Sequence, residues 1–260
     1  DNGVTLTING TFFHNGGTVA LSGTGTIAYG AGGILSYGGP TAQTTADAEF
    51  PIASGPSNLT INNANGVTLH ATRVTGGTLT FIAGNFILGA NDFTTSAAGG
   101  YTATQHVVTN STGKLTMTNI GVTPTVFPIG ANTTTINPIA IFNGNNVDYS
   151  ARVEIGLNPT IAYPIIAVNR TWTVRAATTP GVTVNVNFFY SAGHGNANFD
   201  YVATVDHGIY AGTAWGINQT GLVQAGSYQV ATLVSSFGAG IDLPMVIGNM
   251  GKKKRLNKND

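Results

Sequence analysis

The sequence predicts an all-β protein in two parts. A Thr/Gly/Asn-rich, solenoid-like run of strand repeats is expected over 1–122, then an antiparallel β-sandwich over 123–250, with 251–260 as a basic tail or linker. Three observations carry this. The pentapeptide Asn2-Gly3-Val4-Thr5-Leu6 returns intact as Asn65-Gly66-Val67-Thr68-Leu69, and Gly16-Gly17-Thr18-Val19 is answered by Gly76-Gly77-Thr78-Leu79. Threonine outnumbers even the 36 glycines, and its branched Cβ and uncharged hydroxyl suit a pleated surface. No stretch of a dozen residues keeps an apolar 3.6-residue period free of Gly, Pro or β-branched clusters, so helix is disfavoured.

In chain order, short strands bounded by Gly or Asn are expected at Val4–Ile8, Thr18–Leu21, Thr24–Tyr29, Gly33–Tyr37, Asn58–Asn62, Val67–Thr72, Thr78–Ile82, Asn85–Leu88, His106–Thr109 and Lys114–Asn119. None is long enough to bury a face alone. Stacking solves that, with an apolar row such as Leu6 and Ile8, or Leu79 and Phe81, lying on the row of the next coil. A block of about 60 residues then makes about three coils of 20. The frequent Asn-Gly and Gly-Gly pairs also suit hairpins, so a conventional sandwich stays open for this half.

From Thr123 the texture changes, with Trp appearing for the first time and prolines spread from 124 to 180. Val182, Val184, Val186, Phe188 and Tyr190 share one parity while Thr183, Asn185 and Asn187 take the other, the pattern of a strand with one buried face. Ala151, Val153 and Ile155 alternate likewise with Arg152 and Glu154. Further strands are expected at Val126–Ile129, Ile136–Phe142, Ala167–Ala176, Thr204–Ala211, Trp215–Asn218, Tyr228–Val234 and Leu243–Ile247, enough for a sandwich.

Charge narrows the partners. Only 8% of residues are charged, and the formal net charge of zero hides a body of net −4 over 1–251 balanced by +4 over 252–260. The body's five basic residues (Arg73, Lys114, Arg152, Arg170 and Arg175) are scattered, which argues against a nucleic-acid surface. The tail's basic run reads as solvated, as a linker, or as a contact to an anionic surface. Cysteine is absent, excluding disulfides, thiolate metal sites and cysteine nucleophiles. No run approaches the ~18 apolar residues of a transmembrane helix, and Asp1-Asn2-Gly3 does not open a signal peptide.

Candidate chemistry is sparse. Ser111-Thr112-Gly113-Lys114 spells Ser-x-x-Lys, but that motif needs a helix and the sequence here predicts a turn into a strand. His194, Asp200, Asp206 and His207 form the densest set of potential metal ligands, without calcium or zinc spacing, so a solvated loop is expected and no metal or cofactor. His14, His70 and His106 read as isolated surface or turn residues. Asp47 and Glu49 share a strand parity, as a glycosidase or lyase could use, with no basic residue near in sequence to complete a site. Tyr29, Tyr37, Tyr210, Trp172 and Trp215 are the aromatics that could stack on sugars, Trp172 and Trp215 being the glycan-stacking candidates.

Several phrases carry a family resemblance. Thr41-Ala42-Gln43-Thr44-Thr45, Ala48-Glu49-Phe50-Pro51 and Asn58 through Leu69 resemble the strand-repeat region of Bacteroidota-type secreted, repeat-containing, adhesin-like cell-surface proteins exported by the type IX secretion system. Val126-Phe127-Pro128-Ile129-Gly130 and Val168-Asn169-Arg170-Thr171-Trp172-Thr173-Val174 resemble the sandwich that follows it. In that family Leu243-Pro244 would lead into a further module, whereas here the chain runs into Gly251-Lys252-Lys253-Lys254. The resemblance implies export and a structural or adhesive role. The expectation is therefore a non-enzymatic extracellular fibre subunit or adhesin stalk that self-associates through strand contacts, by a terminal segment at 1–12 or 240–251. The alternative is a carbohydrate-binding surface module, and after it a β-helix polysaccharide-degrading enzyme.

Overall fold

The computed structural model describes residues 3–21, 23–225 and 229–250, so the tail expected at 251–260 lies outside the described residues. The protein is all-β, and its first half is a β-solenoid of about six turns. The chain divides into two units: 1–118 with 128–136, and 119–127 with 137–260. In the first unit each turn of the solenoid visits up to three sides. First-side strands are Thr5–Ile8, Thr26–Tyr29, Arg73–Val74, Phe93–Thr95 and the start of Leu115–Ile120. Second-side strands are Thr11–His14, Ile34–Gly38, Asn58–Asn62, Thr78–Ala83 and Ala97–Gly99, and third-side strands are Gln43–Thr44, Val67–Thr68, Phe86–Ile87, Val107–Val108 and Ile129–Gly130.

Every strand pairing in this unit is parallel and nearly in register, so like sits on like. Leu35, Leu59 and Leu79 form one inward column, Tyr37, Ile61 and Phe81 the next. All six are buried, each contributing about 1.5–3 kcal/mol that a lone short strand could not obtain. The expected row of Leu79 and Phe81 is thus found. Leu6 and Ile8 also stack, on Ile27 and Tyr29, but Leu6 remains 52% exposed because no described strand covers that rung.

The sequence repeat has a different meaning from coil register. Thr5-Leu6 belongs to a first-side strand, whereas Val67-Thr68 belongs to the third side. Gly76-Gly77 leads into a second-side strand, while Gly16-Gly17 follows one. What recurs is the corner. Gly3 and Gly66 hold φ of +79° and +85°, a left-handed bend that glycine tolerates, and a short Thr-bearing strand then follows on whichever side comes next. Gly84 shows the second constraint: besides its φ of +77°, a Cβ there would collide with Asn63 O of the preceding turn. Turns are 19–24 residues long, as the Val67-to-Phe86 and Ile34-to-Asn58 pairings give, so corner residues absorb the variation.

One turn departs from the pattern. Where a first-side strand would lie between Gln43–Thr44 and Asn58–Asn62, residues 45–57 form a loop whose Ser54 O accepts the Tyr29 N–H at 2.8 Å. That loop fills the missing rung.

The second unit is the expected antiparallel sandwich. One sheet runs Val147–Ile155, Arg170–Ala176, Leu243–Gly248, Val205–Tyr210, Trp215–Leu222, and the other Thr125–Phe127, Ile139–Phe142, Val184–Phe189, Gln229–Val234. The alternation of Val184, Val186 and Phe188 places them inward. Trp172 meets Phe188 edge-on at 5.2 Å and Phe188 meets His207 at 5.2 Å, joining the sheets through their inner faces.

Candidate functional site

The densest polar constellation of the first unit sits on the loop that replaces a rung. Asp47, Glu49 and Thr45 come from that loop, His70 and Arg73 from the turn that follows. Thr45 Oγ1 lies 2.6 Å from His70 Nδ1 and accepts the His70 backbone N–H at 3.0 Å, while His70 Nε2 lies 3.0 Å from Asp47 Oδ1. Arg73 Nη2 reaches Asp47 Oδ1 and, at 2.8 Å, His70 Nε2. Its Nε donates to Phe50 O at 2.6 Å and its Nη1 to Thr72 O at 2.8 Å, with the guanidinium carbon 5.8 Å from the Phe50 ring centroid. A basic partner for Asp47 was not expected from the sequence; the solenoid supplies two, because His70 and Arg73 follow one turn later at 23 and 26 residues' separation.

Thr45, His70 and Asp47 fall in the order of a hydrolase triad, yet their surroundings oppose that chemistry. Thr45 is 2% exposed and its hydroxyl is already engaged by the His70 backbone, so no substrate carbonyl meets it. Glu49 is 1% exposed, its Oε1 accepting the Ala46 N–H at 2.6 Å and the Tyr37 hydroxyl at 2.9 Å. It is therefore unable to pair with Asp47 as acid and base. Asp47 opens most to solvent, its side chain 80% exposed against 23% for His70, and it lines a cleft of about 340 Å³ together with Leu21, Thr26, Ile27 and Pro51. The His70 hydrogen bond, and behind it the Arg73 charge, hold its carboxyl below the usual range. Tyr29 and Tyr37, two of the aromatics that could have stacked on sugars, are buried, the commoner place for an aromatic in a β protein, and burial followed by the Glu49 charge pushes both phenols up. The arrangement fastens a loop.

No family model, curated protein or solved structure matches this chain.

The remaining sequence candidates resolve individually. Trp172 is fully buried in the sandwich core with Nε1 donating to Asn137 O at 3.0 Å, so it offers no face to a glycan. Trp215 is half-buried, its Nε1 donating to Pro159 O at 2.9 Å. Ser111 and Lys114 precede the strand Leu115–Ile120 with no helix, as expected. His194, Asp200, Asp206 and His207 do not converge, and among the described residues no group of three or more His, Asp or Glu could hold a metal. Asp200 Oδ1 accepts the Val202 and Ala203 N–H groups, Asp206 Oδ1 accepts the Gly221 N–H, and both Asp206 and His207 are buried rather than part of a solvated loop. His14 and His106 are also buried, the first beside the Gln43 amide at 2.7 Å, the second with Nε2 2.8 Å from Asn132 O.

His207 should make the sandwich acid-sensitive. Its Nδ1 faces Asn218 Nδ2 at 3.1 Å, its Nε2 is buried without a partner, and burial pushes its pKa down to about 3 from 6.5. Between those values the unfolded chain binds a proton that the folded one refuses, so stability falls as pH drops below 6.5. Roughly 3 kcal/mol should be lost by about pH 4.5 from this residue. His194, pushed down to about 4 by burial and then by the Arg170 charge, acts in the same sense. Urea midpoints followed from pH 7 to 4.5 should fall steeply for the native protein and less for His207→Gln. Equal slopes for the two would contradict the assignment.

One further feature bears on function, the outer rung of the solenoid. Thr5–Ile8 and Thr11–His14 each pair on one edge only among the described residues. Val4, Leu6 and Phe13 on this rung are 58%, 52% and 67% exposed. Strand edges are normally blunted by Lys, Pro or other charge. Here no charged residue occurs between Asp1 and Asp47.

Proposed function

We propose that this protein is a non-enzymatic, extracellular structural protein, a filament subunit or adhesin stalk whose outer solenoid rung adds to a strand of the next copy. The observation that carries the reading is that edge: parallel, unpaired on one side among the described residues, apolar and without a gatekeeping charge. Strand addition would satisfy its free backbone groups and cover Val4, Leu6 and Phe13 together. A net charge of zero leaves no long-range repulsion between copies. The resemblance of its repeat phrases to those of exported, repeat-bearing surface proteins supports the extracellular setting. Binding to glycans or other surface components through an aromatic platform is the weaker reading, since Trp172 lies in the core.

Sedimentation velocity and electron microscopy test this. The native chain should show mass rising with concentration and linear particles. The double variant Val4→Lys/Phe13→Lys, both at exposed positions, should remain monomeric with an unchanged β-type circular dichroism spectrum. A native chain that stays monomeric up to its solubility limit, or a double variant that assembles equally well, would sink the proposal.

A further inference from the structure

The sandwich carries a concave apolar site unrelated to the solenoid edge. It has a volume of about 250 Å³, and its walls include Trp215, Ile217, Tyr163, Ile166, Val246 and Met250. Its floor is bare for a specific reason. Gly208 pairs with Ile217 on one side and Val246 on the other, so all three share one sheet face, and the missing Gly208 side chain leaves a hollow between its neighbours. A Cβ at that position would come within 3.1 Å of Val246 Cγ2 and 3.3 Å of Met250 Cε. The Trp215 wall is held in place, since its indole N–H is anchored on Pro159 O and its ring packs on Tyr210 at 5.5 Å. The site is built before any ligand arrives.

We infer that this pocket binds a small, neutral, apolar molecule, an aromatic of about two rings or a short aliphatic chain. Three points fix the class. An apolar cavity of ~150 Å³ accepts benzene, so a site of 250 Å³ has room for a second ring. Sugars need hydrogen-bonding groups around an aromatic platform, whereas the walls here are Ile, Val, Met, Ala and Gly beside the two aromatics, and the indole N–H is already spent. The ten lining residues fall well short of the ~20–30 a side that a stable protein interface uses, so a second copy is not the occupant.

Fluorescence titration of the full chain with 1-aminonaphthalene at neutral pH tests the inference. Saturable 1:1 binding in the ~10–100 µM range is expected, weakened at least tenfold by Ile217→Asp and by Trp215→Ala. Ile155→Asp, at another exposed position of the same unit, should bind as the native chain does. Ile217 is 55% exposed, so its replacement should leave the melting temperature nearly unchanged. Should it unfold, Gly208→Ala decides, because the added methyl narrows the floor. Absence of saturable binding by the native chain, equal binding by the pocket variants, or displacement of the dye by cellobiose would each overturn the assignment.

Discussion

Trp172→Ala should lower the melting temperature of the sandwich by roughly 10–20 °C, whereas Trp215→Ala should move it by only a few degrees. The two tryptophans look alike in sequence and differ in what surrounds them. Trp172 is fully buried and meets Phe188 edge-on at 5.2 Å, so truncation leaves a cavity and costs about 3–5 kcal/mol, a large share of a typical 5–15 kcal/mol. A second loss adds to the first. Its indole N–H satisfies Asn137 O, and the Asn137 side chain in turn accepts Arg170 Nε at 2.8 Å and contacts His194 Nδ1 at 2.9 Å. Removing the indole leaves a buried carbonyl without its donor and loosens the residue that orients a buried arginine. Differential scanning calorimetry of both variants checks this. A Trp172→Ala transition within about 3 °C of the native one would show that Trp172 is not the keystone that its burial implies.

The same pair of residues shows what could be read from the sequence. Strand parity predicted Val184, Val186 and Phe188 correctly because burial of one face imposes a period of two on the sequence itself. Parity places Trp172 on a face without saying whether that face meets a second sheet or water. Corners were legible too, since a left-handed bend demands Gly. Their side of the solenoid was not, because Asn-Gly precedes a short strand on any side, and the intact repeat therefore marked corner chemistry rather than coil register. Short rungs such as Gln43–Thr44, Arg73–Val74 and Ala97–Gly99 escaped notice because two or three residues are too few to show an alternating pattern, and each is held in place by pairing to its neighbouring strand. The hydrogen bonds of the neighbouring turns hold them. The Asp47 cluster was hidden for a related reason: its partners lie one turn away, at a separation that varies with every corner. Gly208 gave no signal, as a strand glycine declares a hollow only once its cross-strand neighbours are known.

Arg73→Met should separate a fastening role for the Asp47 cluster from a chemical one. The guanidinium is buried and donates to Phe50 O, Thr72 O and Asp47, so methionine keeps most of the aliphatic stem but removes every donor. Phe50 O would lose its charged partner inside the fold, and the loop at 45–57 would lose its tie to the following turn. A cost of about 3–5 kcal/mol is expected, because the buried guanidinium's hydrogen bonds are removed while the Phe50 and Thr72 carbonyls remain. Asp47→Asn should cost far less, since its side chain is 80% exposed and the Arg73 hydrogen bonds to Phe50 and Thr72 persist. Limited proteolysis locates the effect. In Arg73→Met, cleavage should appear first within 45–57, ahead of the corners at Gly66 and Gly84, whose hydrogen bonds do not involve the arginine. The opposite ranking, with Asp47→Asn as damaging as Arg73→Met, would mean that the carboxylate organises the cluster. Preserved stability in both variants would remove the mechanical account of this loop and return the Thr45, His70 and Asp47 alignment to consideration as chemistry.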